Sequence, residues 1–479
     1  MSAEEREERE AGRAPERTVY LDTLGCEKNT VDSEGALGLL LRRGFRLVDS
    51  PHDADLVVLN TCGFLDSARR ESLDRLHELA EQKGSGRLVA MGCLVQGGTH
   101  DLQREVPGID AVLGVGQYDR LADLVEGGDA GPLGSPDEAP YAGYGARALL
   151  TPSHVAHLKL AEGCNQSCSF CKIPALRGRQ RSRRIPEILE EAYGLSAQGV
   201  RELILIAQNS SAYGIDLPGQ PRFADLCSAL AGVPGIRWIR VMYAYPPMFT
   251  TKLAREVYEI DKVVSYLDIP VQHASARVLE RMNRGYDPER FRRQIESLRA
   301  LRPDLMLRTT ALVGFPGEEE EDVVELLDFL DEVAFDHVGT FVYSHEEQTT
   351  AFALEDDVDP EEKEDRRARV ESLQWDVGLD RKRAWLGREV EVLVDEVFEN
   401  PEDALLEMVA IEDGEDDRKG WTGRVAFGRT EGFCFEVDGG VFLPAADLRP
   451  GDFTRVALEA CGPYDFLASP KPGPSTELR

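Results

Sequence analysis

The chain has 479 residues, with 87 acidic against 55 basic side chains and a formal net charge of −32. Its length predicts about two to four domains, each large enough for its own core. Hydrophobic residues at 42% and charged residues at 30% are typical of a soluble globular protein and exclude a disordered or fibrous one. No apolar run approaches the ~18 residues of a membrane-spanning helix. The acidic first residues predict no signal peptide, so we expect a cytoplasmic protein.

The acid excess also indicates which classes of molecule the protein can bind. Broad binding to nucleic acid needs clustered Lys and Arg, so a charge of −32 argues against it. The same charge suits a basic protein partner, but it is equally what adaptation to salt produces. Composition alone leaves both interpretations open.

In chain order, residues 1–17 predict a charged, disordered tail. Residues 18–125 alternate apolar strand candidates with helical stretches, which is typical of parallel βαβ units. The strand candidates are VYLDTLGC, ADLVVLNTC and RLVAMGC. Residues 126–149 are rich in Gly, Pro, Asp and Ser and predict a linker.

The alternation restarts in residues 150–385, where six strand candidates run from HVAHLKLAEGC to HVGTFVYS. Six such units predict a parallel sheet curled into a partial (β/α)6 barrel, since a complete eightfold barrel needs two more. Residues 387–468 hold short strand candidates with Gly and Pro turns, among them ALLEMVAI, and predict a small all-β barrel of about five strands, like an OB-fold. Residues 469–479 predict a mobile tail. The predicted fold class is therefore α/β and multidomain.

Three cysteines stand close together directly after the first strand of the predicted barrel. The segment AEGCNQSCSFC places Cys164, Cys168 and Cys171 at spacing C-x3-C-x2-C. Three thiolates on one loop can hold a 4Fe-4S cluster and leave one iron free for another ligand. Zinc is the rival interpretation, although a catalytic zinc site normally adds a His or carboxylate. Three inert buried thiols are the remaining alternative.

These residues resemble the radical S-adenosylmethionine (SAM) superfamily in the cysteine spacing, the aromatic Phe170 and the partial barrel. The resemblance implies that the open iron binds SAM, and that one electron cleaves SAM to a 5′-deoxyadenosyl radical. It also implies that Phe170 lies near the adenine and that Glu202 and Gln208 hold the methionine part. Glu202 and Gln208 are equally compatible with ordinary polar positions at a strand edge.

A second set of cysteines is spread along the amino-terminal region. Cys26, Cys62 and Cys93 each follow a strand candidate, at LDTLGC, VVLNTC and VAMGC. The carboxyl ends of parallel strands share one edge of a sheet, so the three thiols are expected to converge. We interpret them as ligands of another 4Fe-4S cluster. The remaining cysteines have no such context and are taken as structural: Cys227, Cys434 and Cys461.

Both sets together resemble the methylthiotransferases, over about residues 18–468. The shared segments are GCEKNTVDSE, NTCGF, EGCNQSCSFC, IPALRG and VGFPGE. The family joins an amino-terminal cluster domain, a radical SAM barrel and a carboxy-terminal β-barrel of the TRAM type. The resemblance implies two 4Fe-4S clusters, SAM, and an electron donor and a sulfur donor as partners. The implied reaction inserts sulfur into a C–H bond and methylates it.

Two branches of this family differ in substrate: one modifies an adenosine of transfer RNA, and the RimO branch modifies an aspartate of small-subunit ribosomal protein twelve. Tyr243–Pro246 (YAYP), Asp268–Ser275 (DIPVQHAS) and the Cys-x-Lys-Asn of Cys26–Asn29 resemble the RimO branch. Glu27 departs from it, because that branch commonly has Pro after the first cysteine. We therefore expect the ribosomal protein as substrate and no transfer RNA. A transfer RNA enzyme and a non-catalytic iron–sulfur assembly or sensor protein are the alternatives.

Charge gives a partly independent test of the substrate. Residues 387–479 carry 21 acidic and 9 basic residues, a net charge of −12, so the acid excess is concentrated in the predicted TRAM domain. Such a surface repels phosphates and attracts a basic protein. One group of residues is basic although the chain as a whole is acidic, and it either contacts a ligand or pairs with nearby acidic residues. The group consists of Arg177, Arg179, Arg181, Arg183 and Arg184. His273 is expected at the barrel mouth, as a substrate-positioning or a structural residue.

Overall fold

The computed structural model describes residues 17–98, 101–125, 127–141, 145, 147–407, 411, 413–414, 421, 423–445 and 447–470. The two predicted tails lie almost wholly outside these residues, as does part of the predicted linker. No helix among the described residues is long and apolar enough to cross a membrane. The chain forms two compact units, and the first consists of the residues up to Leu150 together with Glu162–Asn165 and Lys172–Arg181.

The first unit is built on a five-stranded parallel sheet. Its strands are Arg17–Thr23 (β1), Phe45–Leu47 (β2), Leu56–Thr61 (β3), Arg87–Gly92 (β4) and Ala111–Leu113 (β5). The order across the sheet is β2-β1-β3-β4-β5, so β1, β3 and β4 are neighbours. Its helices are Glu27–Arg42 (α1), Asp66–Gln82 (α2), Cys93–Gln96 (α3), Leu102–Glu105 (α4), Leu121–Val125 (α5) and Ile173–Arg177 (α6).

This sheet is covered on both faces, as parallel sheets generally are. Alternate residues of β3 and β4 point to opposite sides, and each side has its own apolar core. One core joins Val58, Val89 and Met91 to Ala36, Leu37 and Leu40 of α1. The other joins Val57, Leu59, Leu88 and Ala90 to Leu73, Leu76 and Leu79 of α2. The three layers fix the ends of the strands, where the cysteines follow.

The second unit begins with the predicted partial barrel. Two-residue strands lie before and after the cysteine loop in the chain: Ala161–Glu162 (β7) and Arg181–Ser182 (β8). The six barrel strands are Val155–Lys159 (β6), Glu202–Ile206 (β9), Trp238–Val241 (β10), Val263–Asp268 (β11), Met306–Val313 (β12) and His337–Val342 (β13). They are parallel throughout, in the order β13-β12-β11-β10-β9-β6. The prediction of a six-stranded open barrel is confirmed.

Helices separate these strands, and one long helix follows the last of them. They are Ile185–Ala197 (α7), Phe223–Ala231 (α8), Thr251–Tyr258 (α9), Ala276–Arg281 (α10), Pro288–Leu301 (α11), Glu320–Val333 (α12) and Pro360–Arg383 (α13). The short α10 has only six residues, too few to show a periodic pattern in the sequence.

The carboxy-terminal part of the second unit is a small closed barrel, as predicted. Its strands are Glu389–Phe398 (β14), Asp413–Gly414 (β15), Val425–Arg429 (β16), Val441–Pro444 (β17), Phe453–Cys461 (β18) and Phe466–Pro470 (β19). Pairing of β14 with β18 closes a ring of five strands, and β15 adds to the edge of β18.

One predicted strand of this barrel was wrong. The segment ALLEMVAI begins inside a helix, Pro401–Glu407 (α14). Proline at the first helical position has the required φ already, and Glu402 and Asp403 place negative charge at the positive end of the helix dipole. These local signals outweigh the apolar run that suggested a strand.

The small barrel packs against the amino-terminal side of the partial barrel's strands. His154, just before β6, lies 2.9 Å from Asp395, and Arg308, early in β12, donates to Asp438 at 2.6 Å. The ring of His337, the first residue of β13, lies 3.2 Å from the carbonyl oxygen of Gly432. The acid-rich domain therefore covers the end of the strands opposite to the one at which the cysteine loop follows β6.

A buried ion network forms the centre of this interface. Glu202 begins β9, and its carboxylate contacts Nε of Arg240 at 2.7 Å and Nη1 of Arg429 at 2.7 Å. Arg429 also pairs with Asp395 at 2.7 Å. Burial alone would raise the pKa of Glu202, but the guanidinium groups of Arg429 and Arg240 outweigh burial and lower it. Glu202 therefore stays charged and helps to hold the two barrels together.

Candidate functional site

The structure places the three amino-terminal cysteines at one edge of the parallel sheet. Cys26 caps the start of α1 shortly after β1, Cys62 directly follows β3, and Cys93 begins α3 directly after β4. Since β1, β3 and β4 are adjacent and parallel, their carboxyl ends share one edge. Cys26 is exposed, while Cys62 and Cys93 are buried. The predicted convergence of the strand ends is present; the role of the thiols as cluster ligands stays a prediction.

A close approach between two turns depends on Gly25. This residue has a φ of +98°, and a Cβ atom there would lie 2.9 Å from Cβ of Cys62 and 3.0 Å from its Sγ. A side chain at position 25 therefore meets both a strained backbone conformation and a steric clash. Gly25 lets the turn that carries Cys26 approach Cys62.

Gly25→Ala is expected to lower the iron content of the anaerobically reconstituted protein, because the added Cβ separates the turns of Cys26 and Cys62. Gly44→Ala is the matched control, since Gly44 has a φ of +83° and open space at its Cβ position. The control carries the same backbone strain without the clash, so it should lose some stability and keep its iron. Equal iron in the two variants would contradict the steric argument.

Asn29 connects the three turns and was missed as a site residue. Its Nδ2 donates to the carbonyl oxygens of Leu24 at 2.7 Å and Thr61 at 3.2 Å, just before Cys26 and Cys62 respectively. Its Oδ1 lies 3.8 Å from Sγ of Cys93. The signal in the sequence was the Cys-x-Lys-Asn segment, which was used only to compare branches of the family.

Two of the amino-terminal thiols, those of Cys62 and Cys93, are buried, and the guanidinium of Arg177 lies near both. Burial raises the pKa of Cys93 to about 11, and Arg177 opposes this rise. Burial also raises the pKa of Cys62, and the nearby Cys26 adds to the rise. The free thiols of Cys62 and Cys93 are therefore protonated at neutral pH, and ligation of iron must release their protons.

The chemistry of these donors fits an iron–sulfur cluster, because three thiols are brought to one edge by adjacent strands. Among the described residues, no three Cys, His, Asp or Glu side chains are grouped as ligands of a metal ion. A four-iron cluster is larger than a single ion, so its thiolates stand farther apart.

The second cysteine set lies on the loop after β6 and β7. The backbone N–H of Cys164 donates to the carbonyl oxygen of Gly178 at 3.0 Å. Within the second unit, the N–H of Cys171 donates to the carbonyl oxygen of Cys168 at 3.2 Å. Nη1 of Arg284 lies 3.5 Å from Sγ of Cys168. All three thiols of this loop are partly exposed.

Phe170 is partly buried and packs against an apolar cluster at the carboxyl side of the barrel. The cluster consists of Val278, Met282, Leu312, Phe315, Tyr343 and Ala351. Next to it, the N–H of Ser169 donates to the carbonyl oxygen of Met282 at 2.9 Å. These contacts hold the aromatic ring beside Cys168 and Cys171.

Gln208 and Glu202 lie at opposite ends of the same strand region. Gln208 follows the carboxyl end of β9, where three buried polar atoms have no hydrogen-bond partner in the described structure: Oε1 of Gln208, Oδ1 of Asn209 and Oγ of Ser210. Buried polar atoms of this kind call for a ligand or water, and they fit a polar cofactor such as SAM. Glu202 begins the strand and is held by Arg240 and Arg429, so we leave it out of the proposed SAM site.

The arginine group mostly pairs with neighbouring groups. Arg183 contacts Glu191 at 2.5 Å, and the exposed Arg184 pairs with Glu187. Arg181 donates to the carbonyl oxygen of Pro136 at 2.9 Å. Arg177 is different, because one of its contacts is a predicted cluster ligand.

His273 is buried, and each of its two ring nitrogens lies near a polar group. Its Nδ1 accepts a hydrogen bond from the N–H of Ser275 at 3.0 Å, and its Nε2 lies 3.5 Å from a carboxylate oxygen of Glu318. The contact with Ser275 is structural, whereas Nε2 of His273 makes no hydrogen bond among the described residues, so both interpretations of His273 stay predictions.

Comparisons with known proteins agree with this architecture. A model of the radical SAM superfamily matches residues 158–330, and a model described as uncharacterized protein family UPF0004 matches residues 18–114. A solved structure of the radical SAM methyltransferase TsrM from Kitasatospora setae has a TM-score of 0.51 at 15% identity, over 68% of this chain and 73% of that one. The barrel and its cysteine loop define the class: this is a radical SAM enzyme.

Curated relatives define the family within that class. Ribosomal protein uS12 methylthiotransferase RimO of Anaeromyxobacter sp. is 42% identical over 453 residues, 94% of this chain and 92% of that protein. The RimO of Symbiobacterium thermophilum is 41% identical over 455 residues, 93% of this chain and 89% of that protein. The chain belongs to the RimO family of methylthiotransferases. The predicted resemblance to that family is confirmed.

Proposed function

We propose that the protein installs a methylthio group on the β-carbon of an aspartate side chain in small-subunit ribosomal protein twelve (uS12). The observation that carries the proposal is the 42% identity to a uS12 methylthiotransferase over 94% of the chain. This similarity spans both cysteine-bearing regions and the carboxy-terminal barrel. The site geometry supports the same assignment, because each cysteine set follows the carboxyl ends of parallel strands.

In this proposal, each of the two cysteine sets holds its own cluster. Cys26, Cys62 and Cys93 would hold one 4Fe-4S cluster, and the Cys164–Cys171 loop would hold the other with one iron open to SAM. When bound, these groups supply hydrogen abstraction, sulfur and the methyl group. Gln208 offers a buried polar atom for the methionine part of SAM, and Phe170 offers an apolar wall for the adenine.

The carboxy-terminal barrel would recruit the substrate by charge. Its net acid excess attracts a protein rich in Lys and Arg and repels transfer RNA. Because it packs on the amino-terminal side of the barrel strands, it acts at a distance from Cys168 and Cys171 of the same unit. We infer that the protein works in the cytoplasm, where ribosomes are assembled, and takes electrons and sulfur from separate donors.

The deciding experiment deletes the gene and weighs the intact ribosomal proteins by mass spectrometry. Protein twelve is expected to lose the mass of one methylthio group, and the wild-type gene should restore it. Complementation with Cys227→Ala, which changes a cysteine outside both sets, should also restore the modification, whereas Cys62→Ala should not. If protein twelve keeps its modified mass while transfer RNA loses a methylthio group, the proposed substrate is wrong.

A further inference from the structure

We propose that Arg177 sets the reduction potential of the amino-terminal cluster through a hydrogen bond to Cys93. The inference rests on the proposed function, because it takes Cys26, Cys62 and Cys93 as cluster ligands. It assigns Arg177 as a positioning residue that acts through a ligand. The residue belongs to the IPALRG segment, six positions after the last cysteine of the barrel loop.

The guanidinium of Arg177 is fully enclosed and makes a different contact on each nitrogen. Its Nε lies 3.2 Å from Sγ of Cys93. Nη1 donates to Asp32 at 2.7 Å and to Glu162 at 3.2 Å, and Nη2 donates to Oδ1 of Asn29 at 2.6 Å. The side chain is only 1% exposed.

This arrangement is more specific than a buried ion pair needs. A guanidinium usually meets a carboxylate through two parallel N–H groups. Here both carboxylates, Asp32 and Glu162, accept from the same nitrogen, Nη1, while Nε is aimed at sulfur. The planar group cannot rotate one nitrogen without moving the others. The carboxylates and Asn29 therefore orient Arg177 so that its Nε–H points at Cys93.

The backbone around Arg177 is equally constrained. Gly178 has a φ of +74°, and a Cβ there would lie 2.4 Å from Oδ1 of Asp137. That same oxygen accepts the N–H of Arg179 at 2.6 Å. On the other side, Leu176 packs beside Gly97, immediately after the short helix that Cys93 begins. Arg177 is thus fixed by its own loop and by the element that carries its partner.

The expected effect follows from electrostatics. Reduction adds one negative charge to a cluster, and a cation or an N–H group directed at a ligand sulfur stabilises that charge. The effect is strong in a buried site, where little water screens it. Arg177 therefore raises the potential, and Asp32 and Glu162 moderate the rise. Removing Arg177 and removing Asp32 should shift the potential in opposite directions.

The test uses the full chain with Cys164, Cys168 and Cys171 replaced by alanine, so that only the amino-terminal cluster is reconstituted. Its midpoint potential is measured by redox titration followed by electron paramagnetic resonance. Arg177→Gln is expected to lower the reduction equilibrium constant about tenfold, which is about 59 mV for a one-electron couple. Asp32→Asn is expected to raise the potential, and Arg177→Lys, which keeps the charge, should fall between Arg177→Gln and the unchanged protein.

The controls separate this inference from the proposed function. Arg184→Gln changes an exposed arginine of the same group and should leave the potential unchanged. If the parent variant with intact Arg177 binds no iron, the ligand assignment itself fails. If iron is bound and Arg177→Gln leaves the potential unchanged, the inference about Arg177 is overturned. Should Arg177→Gln not fold, Arg177→Lys decides, because it keeps the charge and lacks the Nε–H: a potential below that of the unchanged protein supports the inference, and an equal one overturns it.

Discussion

Replacing Cys62 by alanine is expected to remove the amino-terminal cluster and to leave the barrel cluster intact. The intact protein should bind about eight irons in two four-iron clusters, and Cys62→Ala about four. The reason is topological: Cys62 directly follows β3, the middle one of the three strands that precede the first cysteine set. Methylthiolation should stop, while reductive cleavage of SAM continues.

The measurement is iron and sulfide content after anaerobic reconstitution, combined with 5′-deoxyadenosine formation. Cys168→Ala is the mirror variant and should lose SAM cleavage while keeping about four irons. Cys227→Ala is the matched control, because Cys227 is buried in α8 and belongs to neither cysteine set. About four irons in the unchanged protein would refute the amino-terminal site, and tightly bound zinc would refute both.

Glu202→Ala is expected to destabilise the second unit by about 3–5 kcal/mol, the usual cost of leaving buried charges without their partner. Arg240 would lose its carboxylate, and Arg429 would keep Asp395 and the carbonyl oxygen of Phe433. Both guanidinium groups are fully buried, so water cannot replace the missing contacts. This variant should be among the most damaging single changes outside the cysteines.

Thermal unfolding followed by circular dichroism measures the loss. Glu399→Ala is the control, because Glu399 pairs with Arg424 at 3.1 Å on the surface of the same small barrel, where such pairs contribute little. Its unfolding midpoint should be nearly unchanged. If Glu202→Ala keeps the midpoint but weakens SAM binding, Glu202 belongs to the cofactor site after all.

The sequence predicted the architecture where local patterns determine it. Cysteines directly after buried strands, as at Cys62 and Cys93, placed both cysteine sets at strand ends, because the strand pattern and parallel topology are local properties. The closed barrel followed from short strands and turns. The helix α14 was missed because Leu and Ala suit both states, and capping decided between them.

Residues whose partners lie far along the chain could not be assigned from the sequence. Glu202 and Gln208 share one strand region and both seemed suitable for SAM. Only the folded chain brings Arg429 to Glu202 and leaves Oε1 of Gln208 without a hydrogen-bond partner among the residues that the structure describes. Arg177 looked like one of five similar arginines, because its contact with Cys93 depends on tertiary structure.

The small barrel packs against the amino-terminal side of the strands, so a mutation that removes this barrel also affects the partial barrel. A chain that ends before Gly387 would lack Arg429, Asp395 and Asp438. Such a chain would leave Arg308 without Asp438 and would leave Glu202 with only one of its two arginines, Arg240. A nonsense mutation that ends the chain before Gly387 should therefore abolish the enzyme through misfolding and degradation, even though every cysteine of both sets is still translated.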